Sequence, residues 1–224
     1  MEGRHVFERN CAVCHGARGD GKGELGETLL PKPRSFREGM FKFRTTPWGT
    51  LPTDDDLRRT ISGGLSGTAM GMFSHLSGQE LEAVIVYVKA FSRRWRNADN
   101  YAASLSFPQQ PAWFNDPRLQ RDHVQSGQQV FAANCMTCHG AAADGKGEAA
   151  AALKDIWGEV AVPSDLRQPH LRCGDAPGDI YRILATGLNG TPMVSFGPVL
   201  TEDQRWDVIA FILSLRLPAG PVVN

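Results

Sequence analysis

The pentapeptide Cys11-Ala12-Val13-Cys14-His15 decides the fold of this chain, because the same pattern returns as Cys135-Met136-Thr137-Cys138-His139. The similarity extends well beyond the two pentapeptides. Residues 3–24 and 127–148 align without gaps at a shift of 124, with 14 identities in 22 positions. A repeat of this length predicts that the chain consists of two halves with equivalent structures.

Two cysteines separated by two residues and followed at once by a histidine form the attachment signature of c-type haem. In such a motif each cysteine forms a thioether to the porphyrin, and the histidine ligates the iron through an imidazole nitrogen. The residues concerned are Cys11, Cys14 and His15 in the first half and Cys135, Cys138 and His139 in the second. A zinc site built from all four cysteines is the alternative, but it leaves the repeat unexplained. We therefore expect two covalently bound haem c groups.

The composition excludes several classes of protein. The 224 residues include 24 basic and 24 acidic side chains, and 42% are hydrophobic, so intrinsic disorder is disfavoured. A nucleic-acid-binding protein would carry a basic excess, and no apolar run approaches the roughly 18 residues of a membrane span. Residues 1–112 carry 15 basic and 12 acidic side chains (+3), and residues 113–224 carry 9 and 12 (−3). This asymmetry favours different partners for the two halves, because surface charge steers encounter.

Two further blocks repeat downstream of the pentapeptides. Residues 64–70 (GLSGTAM) match residues 187–193 (GLNGTPM). Ser77 and Thr201 then each begin a capping box, in which a hydroxyl is followed three residues later by Glu or Gln, and apolar residues at helical spacing follow. We expect each of these C-terminal helices to pack against the N-terminal helix of its own half. A glycine four residues before a phenylalanine allows a close crossing there.

Composition also indicates where the domains end. We expect an N-terminal domain over residues 1–92, a linker over residues 93–122 and a C-terminal domain over residues 123–224. The linker contains three prolines and shows no helical period, although its aromatic residues suggest that it lies on the domains. Its sequence Arg93-Arg94-Trp95-Arg96 is either a docking patch or a solvated face. Pro218-Ala219-Gly220-Pro221 is a stop signal for the last helix.

The order of elements in each half resembles class I cytochrome c: helix, Cys-x-x-Cys-His, glycine-rich loop, short helix, methionine loop, capped helix. The whole chain resembles a tandem, dihaem member of that family. The resemblance covers nearly all of the chain except the linker. It implies an all-α fold with two cytochrome c-type helical domains, each wrapped around one covalent haem and joined by an extended linker. It also implies histidine on one face of each iron and methionine on the other: His15 and Met70 for the first haem, His139 and Met193 for the second.

Other side chains compete for these roles. Met72 lies two residues from Met70, but Ser195 occupies the matching position of the second half, which favours Met70. His75 lies in the first methionine loop and would give that haem a much lower potential if it were a ligand. Cys173 has no repeat partner and is either a buried thiol or half of an intermolecular disulfide. The histidines that do not recur are expected to be surface or structural residues: His5, His75, His123 and His170.

Supporting residues can also be named. A ligating imidazole usually donates its second N–H to a carbonyl, and we expect that carbonyl near Pro31 or Pro33 in the first half and near Pro163 in the second. Side chains close to the middle helices are candidates for haem propionate contacts, the alternative being that the arginines only face solvent. These candidates are Arg44, Arg172 and Trp48.

Two strong ligands on each iron leave no open coordination position, so the expected function is a relay of single electrons between a redox donor and an acceptor. The alternatives are a dihaem peroxidase or thiosulfate-oxidising cytochrome with one labile axial site, or an electron-transfer subunit of a larger membrane or molybdenum-enzyme complex. Haem attachment in the family implies a periplasmic or otherwise extracytoplasmic location. Met1 lies only ten residues before Cys11, which leaves no room for a signal peptide in this numbering.

Overall fold

The computed structural model describes residues 2–216, which form two compact units that divide between Leu105 and Ser106. Within these residues the regular structure is helical, apart from an isolated antiparallel bridge between Lys154 and Val160. The predicted all-α fold is confirmed. No helix in this part of the chain is long and apolar enough to cross a bilayer. The stop signal at residues 218–221 lies outside the described residues.

The helices of the first unit begin where local sequence satisfies their free N–H groups. They are α1 (Glu2–Asn10), α2 (Ala12–His15), α3 (Asp54–Gly63) and α4 (Gly78–Ala90). The hydroxyls of Thr53 and Ser77 accept hydrogen bonds from the backbone N–H groups of Asp56 and Glu80, and both capping boxes are complete. The predicted start of α4 is thereby confirmed.

The second unit repeats this order. Its helices are α5 (Pro117–Asn134), α6 (Met136–His139), α7 (Pro177–Thr186) and α8 (Glu202–Ser214). Thr201 completes the predicted capping box of α8 with Gln204. Single 3-10 turns lie between the larger helices, at Arg93–Arg96, Ala98–Asn100, Ala112–Asn115 and Ala150–Ala152.

Close helix crossings build the core of each unit. Gly3 on α1 is so near α4 that a Cβ atom there would overlap the carbonyl of Ala83. Gly127 on α5 stands in the same relation to the carbonyl of Asp207 on α8. Phe7 and Phe131, four residues after these glycines, are buried in the two cores. The predicted packing of N-terminal on C-terminal helices is therefore confirmed in both units.

The start of α5 corrects the sequence analysis. The prediction that no helix lies between residues 93 and 122 was wrong, because α5 already begins at Pro117. Asp116 caps this helix by accepting a hydrogen bond from the N–H of Arg118, and proline fits the first helical position, where no N–H is needed. The domain boundaries at residues 92 and 123 remain a prediction.

Residues 93–105 belong to the first unit. The guanidinium of Arg94 donates to the carbonyl of Gly49 at 2.5 Å and to Oδ1 of Asn100 at 3.1 Å. The carbonyl of Asn100 accepts in turn from the N–H of Leu51 at 2.8 Å. Arg94 is thus a structural residue, and of the basic cluster only Arg93 and Arg96 are exposed.

Candidate haem sites

Each Cys-x-x-Cys-His motif forms a single helical turn that follows the N-terminal helix after a break. The N–H of His15 donates to the carbonyl of Cys11 at 2.9 Å, and His139 makes the same bond to Cys135 at 2.9 Å. One turn therefore presents two thiols and an imidazole together. Burial raises the pKa of the Cys11 and Cys135 thiols to about 11, so before haem attachment both are neutral thiols at physiological pH.

The two imidazoles are held in the orientation that iron ligation requires. Nδ1 of His15 lies 2.9 Å from the carbonyl oxygen of Arg34, and Nδ1 of His139 lies 3.1 Å from that of Ser164. Burial lowers the pKa of both imidazoles, which favours the neutral form. Because a carbonyl only accepts, Nδ1 carries the proton and Nε2 keeps the lone pair that binds a metal. The acceptors directly follow Pro33 and Pro163, so the expected neighbourhood is correct, whereas Pro31 is not the neighbour.

The repeated Asp-Gly-Lys-Gly sequence brings this acceptor loop close to the motif. Gly21 and Gly145 have φ values of 77° and 79°, a conformation that side chains rarely adopt. A Cβ atom at these glycines would lie 2.7 Å and 2.5 Å from the carbonyl oxygens of Pro33 and Pro163. The close approach explains why glycine occupies both repeat positions.

The two methionine loops have the same backbone geometry. The carbonyl of Met70 accepts from the N–H of Leu65 at 2.9 Å, and its N–H donates to the hydroxyl of Thr68 at 3.1 Å. Met193 makes the equivalent bonds, at 2.9 Å and 3.2 Å, to the residues that match in the repeat, Leu188 and Thr191. Both methionines are partly buried, whereas the competing Met72 is 71% exposed. Ligation of iron by Met70 and Met193 stays a prediction that this symmetry favours.

The propionate candidates differ in their surroundings. Arg44 is fully buried and donates to the carbonyls of Pro47 and Lys42, and its guanidinium carbon lies 5.6 Å from the ring centre of Trp48. Burial lowers the pKa of Arg44 to about 10. Burial also lowers the pKa of the half-buried Arg172, for which no hydrogen bond or carboxylate partner exists among residues 2–216. A half-buried cation without a protein partner is suited to pair with an anionic group of the cofactor, such as a haem propionate.

The remaining candidates have other partners. Nδ1 of His123 lies 2.6 Å from Asp207, and Nδ1 of His170 lies 2.6 Å from Asp175. Both histidines thus have structural roles, and His5 and His75 are exposed. Cys173 packs against the core of the second unit, and burial raises the pKa of its thiol to about 11, in keeping with a buried thiol.

One contact of the first site was missed by the sequence analysis. The imidazole of His15 stacks on the ring of Phe36, with 4.5 Å between the ring centres. Phe36 has no repeat partner of the same type, so the repeat alignment gave no signal for it. The hydropathy pattern marks it only as one more apolar residue of a loop.

Comparisons with known proteins agree with this geometry. The sequence profile of the cytochrome c family matches residues 1–92 and 124–216, so the chain belongs to the cytochrome c family. A solved structure titled the Kuenenia stuttgartiensis reducing HAO-like protein complex Kustc0457/Kustc0458 is 35% identical, with a TM-score of 0.89 over 97% of this chain and 96% of that one.

Curated relatives are subunits of cbb3-type cytochrome c oxidases. CcoP of Azospirillum brasilense is 28% identical over 84% of this chain and 52% of its own length. FixP of Sinorhizobium medicae strain WSM419 is 30% identical over 47% of this chain and 35% of its own length. The chain thus spans about half, or less, of the curated relatives that it matches.

The residues present fit two haem c groups. Each unit offers paired thiols on one turn, a neutral imidazole with Nε2 available and a soft thioether on a repeated loop. With two such units, the chain has the residues of a dihaem c-type cytochrome. The haem supplies the one-electron chemistry, and the protein supplies the ligands, the burial and the surrounding charges.

Proposed function

We propose that this chain is the dihaem electron-transfer subunit of a larger redox complex and has no catalytic site of its own. In this proposal His15 and Met70 ligate the first iron, and His139 and Met193 ligate the second. The observation that supports it most directly is the equivalence of the two sites. In both units an Nδ1–H group is held by a loop carbonyl, and the methionine backbone is held by matching Leu and Thr residues.

With two protein ligands on each iron, substrate would be excluded from the metal, and electrons would enter and leave through the protein surface. Methionine is a soft ligand that favours reduced iron and raises the reduction potential. Arg44 and Arg172 lie buried or half-buried near the middle helices, where they would face the propionates. These features suit a carrier better than a peroxidase, which requires one labile axial position.

The ligand assignment is tested by Met70→Leu, with Met72→Leu as the matched control. Leucine keeps the volume and removes the sulfur. Met70→Leu should reduce the weak long-wavelength band that a methionine–iron bond gives oxidised haem to about half, and should create one cyanide-binding haem per chain. Met72→Leu should leave the spectrum unchanged, because that side chain is 71% exposed. A wild-type protein that is high-spin, or that binds cyanide without a lag, would contradict the carrier function.

Association with a complex is a separate part of the proposal. The relatives named above belong to a cbb3-type oxidase or to a two-component HAO-like complex. We expect the chain to work outside the cytoplasm, where c-type haem is attached, and to co-purify from its native source with a redox partner at physiological ionic strength. Isolation as a free monomer under those conditions would contradict the complex but not the electron relay.

A further inference from the structure

The imidazole of His15, the proposed ligand of the first iron, stacks on the aromatic ring of Phe36. The two rings lie 4.5 Å apart between centres, with 22° between their planes. The backbone fixes this arrangement on both sides. The N–H of Phe36 donates to the carbonyl of Gly19 at 2.7 Å, and Nδ1 of His15 is held by the carbonyl of Arg34, two residues before Phe36.

Phe36 is itself packed between other phenylalanines. Its ring centre lies 6.0 Å from that of Phe41 at an interplanar angle of 12°, and 6.2 Å from that of Phe91 at 23°. We call Phe36, Phe41 and Phe91 the phenylalanine stack. Its near-parallel rings leave Phe36 little freedom to turn, so the face that it presents to His15 is fixed.

The second unit has leucine at the two positions whose backbone surroundings match those of Phe36 and Phe91, and again five residues after the first of them. The N–H of Leu166 donates to the carbonyl of Ala143 at 2.8 Å, as Phe36 does to Gly19. Leu171 follows it by five residues, as Phe41 follows Phe36. Leu215 is the C-cap of α8, as Phe91 is the C-cap of α4.

This difference reaches the ligand itself. Within residues 2–216 no aromatic ring stacks on His139. The two sites thus share their ligand types and hydrogen bonds but differ in what covers the imidazole face.

We propose that Phe36, supported by the other members of the phenylalanine stack, is a positioning residue that fixes the plane of the His15 imidazole. We further propose that it lowers the reduction potential of the first haem relative to the second. An oxidised iron bound to His15 would withdraw electron density from the imidazole and make that ring more positive. An aromatic face carries negative electrostatic potential and attracts positive charge, so Phe36 stabilises the oxidised state. Leu166 cannot do so, and this contribution shifts an electron shared by the two haems toward the second.

This inference rests on the proposed ligation of iron by His15, and reciprocal substitutions test it in the loaded protein. Phe36→Leu places the second unit's residue in the first, and Leu166→Phe does the reverse. In an equilibrium redox titration Phe36→Leu should raise the first haem's potential alone, shifting the distribution of one electron between the haems about two- to tenfold toward the first. A tenfold change corresponds to about 59 mV. Leu166→Phe should lower the second haem's potential alone.

Two further measurements separate this effect from a purely structural one. Phe36→Tyr keeps the aromatic face and should leave the potential close to that of the wild type. The low-spin electron paramagnetic resonance signal of the first haem should change in Phe36→Leu, because it depends on the plane of the imidazole. The haem whose reduction potential shifts in Met70→Leu is thereby identified as the first haem in the redox titration.

Several results would overturn the proposal. They are no shift in either variant, a joint shift of both waves, or a shift in the opposite direction. If Phe36→Leu fails to retain haem, Leu166→Phe still tests the proposal, because it changes only the second unit and leaves Phe36 in place. A wild-type spectrum without a methionine–iron band would instead contradict the proposed methionine ligands. The shifts in potential caused by Phe36→Leu and Leu166→Phe would still test the effect of Phe36.

Discussion

At the scale of single residues, one carboxylate stabilises the loop that orients the second imidazole. Asp165 directly follows Ser164, the carbonyl acceptor of His139. Its two oxygens accept from Nε and Nη2 of Arg167 at 2.9 Å and 2.8 Å, and from the N–H of the same residue at 3.0 Å. These hydrogen bonds to Arg167 hold the pKa of Asp165 well below its ordinary value.

We expect Asp165→Asn to lower the free energy of unfolding by about 1 kcal/mol at pH 7, because a two-pronged ion pair is lost at a partly exposed site. A carboxylate with a depressed pKa in the folded state stabilises it above the unfolded pKa of about 4, and this contribution is lost as the pH falls through the folded value. The difference between the thermal midpoints of variant and wild type should therefore begin to shrink as the pH falls below about 4, and should vanish only near the lower pKa of the folded state. Thermal unfolding at a series of pH values measures this.

A matched control is Glu148→Gln, which removes an exposed carboxylate of the same unit that makes no hydrogen bond within the described residues. Its midpoint should differ little from that of the wild type at every pH. An equal loss in both variants would mean that net charge, and not the Asp165–Arg167 pair, carries the effect.

At the scale of elements, α5 and α8 can cross closely only because Gly127 has no side chain. We expect Gly127→Ala to destabilise the second unit by about 3 kcal/mol, because the added methyl group would overlap the carbonyl of Asp207 and force the helices apart. Chemical denaturation followed by haem absorbance measures the loss. Gly178→Ala is the control: nothing lies near that position on α7, so alanine should be neutral or stabilising by up to about 1 kcal/mol. Equal midpoints for the two variants would contradict the close crossing.

These helices show which features of the fold can be predicted from the sequence and which cannot. The capping boxes at Ser77 and Thr201 and the crossing glycines could be predicted because each depends on residues only three or four positions apart. The start of α5 was missed although Asp116-Pro117 is a helix-start signal, because the surrounding prolines suggested a linker. The stacking of Phe36 on His15 depends on the path of a loop between two distant residues, and no local pattern encodes that path.

At the scale of the whole molecule, the two hydrophobic cores are built from different parts of the chain. The first contains residues such as Phe7, Leu57 and Ile85, and the second contains residues such as Ile180 and Trp206. Each unit has only about a hundred residues, a size at which a core gives limited stability. A covalent porphyrin adds apolar area that the chain alone does not supply, so folding of each unit should depend on its own haem.

Replacing one cysteine pair by alanine tests this dependence. We expect Cys135→Ala with Cys138→Ala to reduce the haem content from two to one per chain and to remove about half of the far-ultraviolet helical signal, because the second core loses its porphyrin. Proteolysis should then cleave the second unit and spare the first. Cys11→Ala with Cys14→Ala should produce the reverse pattern. If either variant keeps the full helical signal and a single cooperative transition, the protein cores are sufficient without haem, and the porphyrin contributes to electron transfer but not to folding.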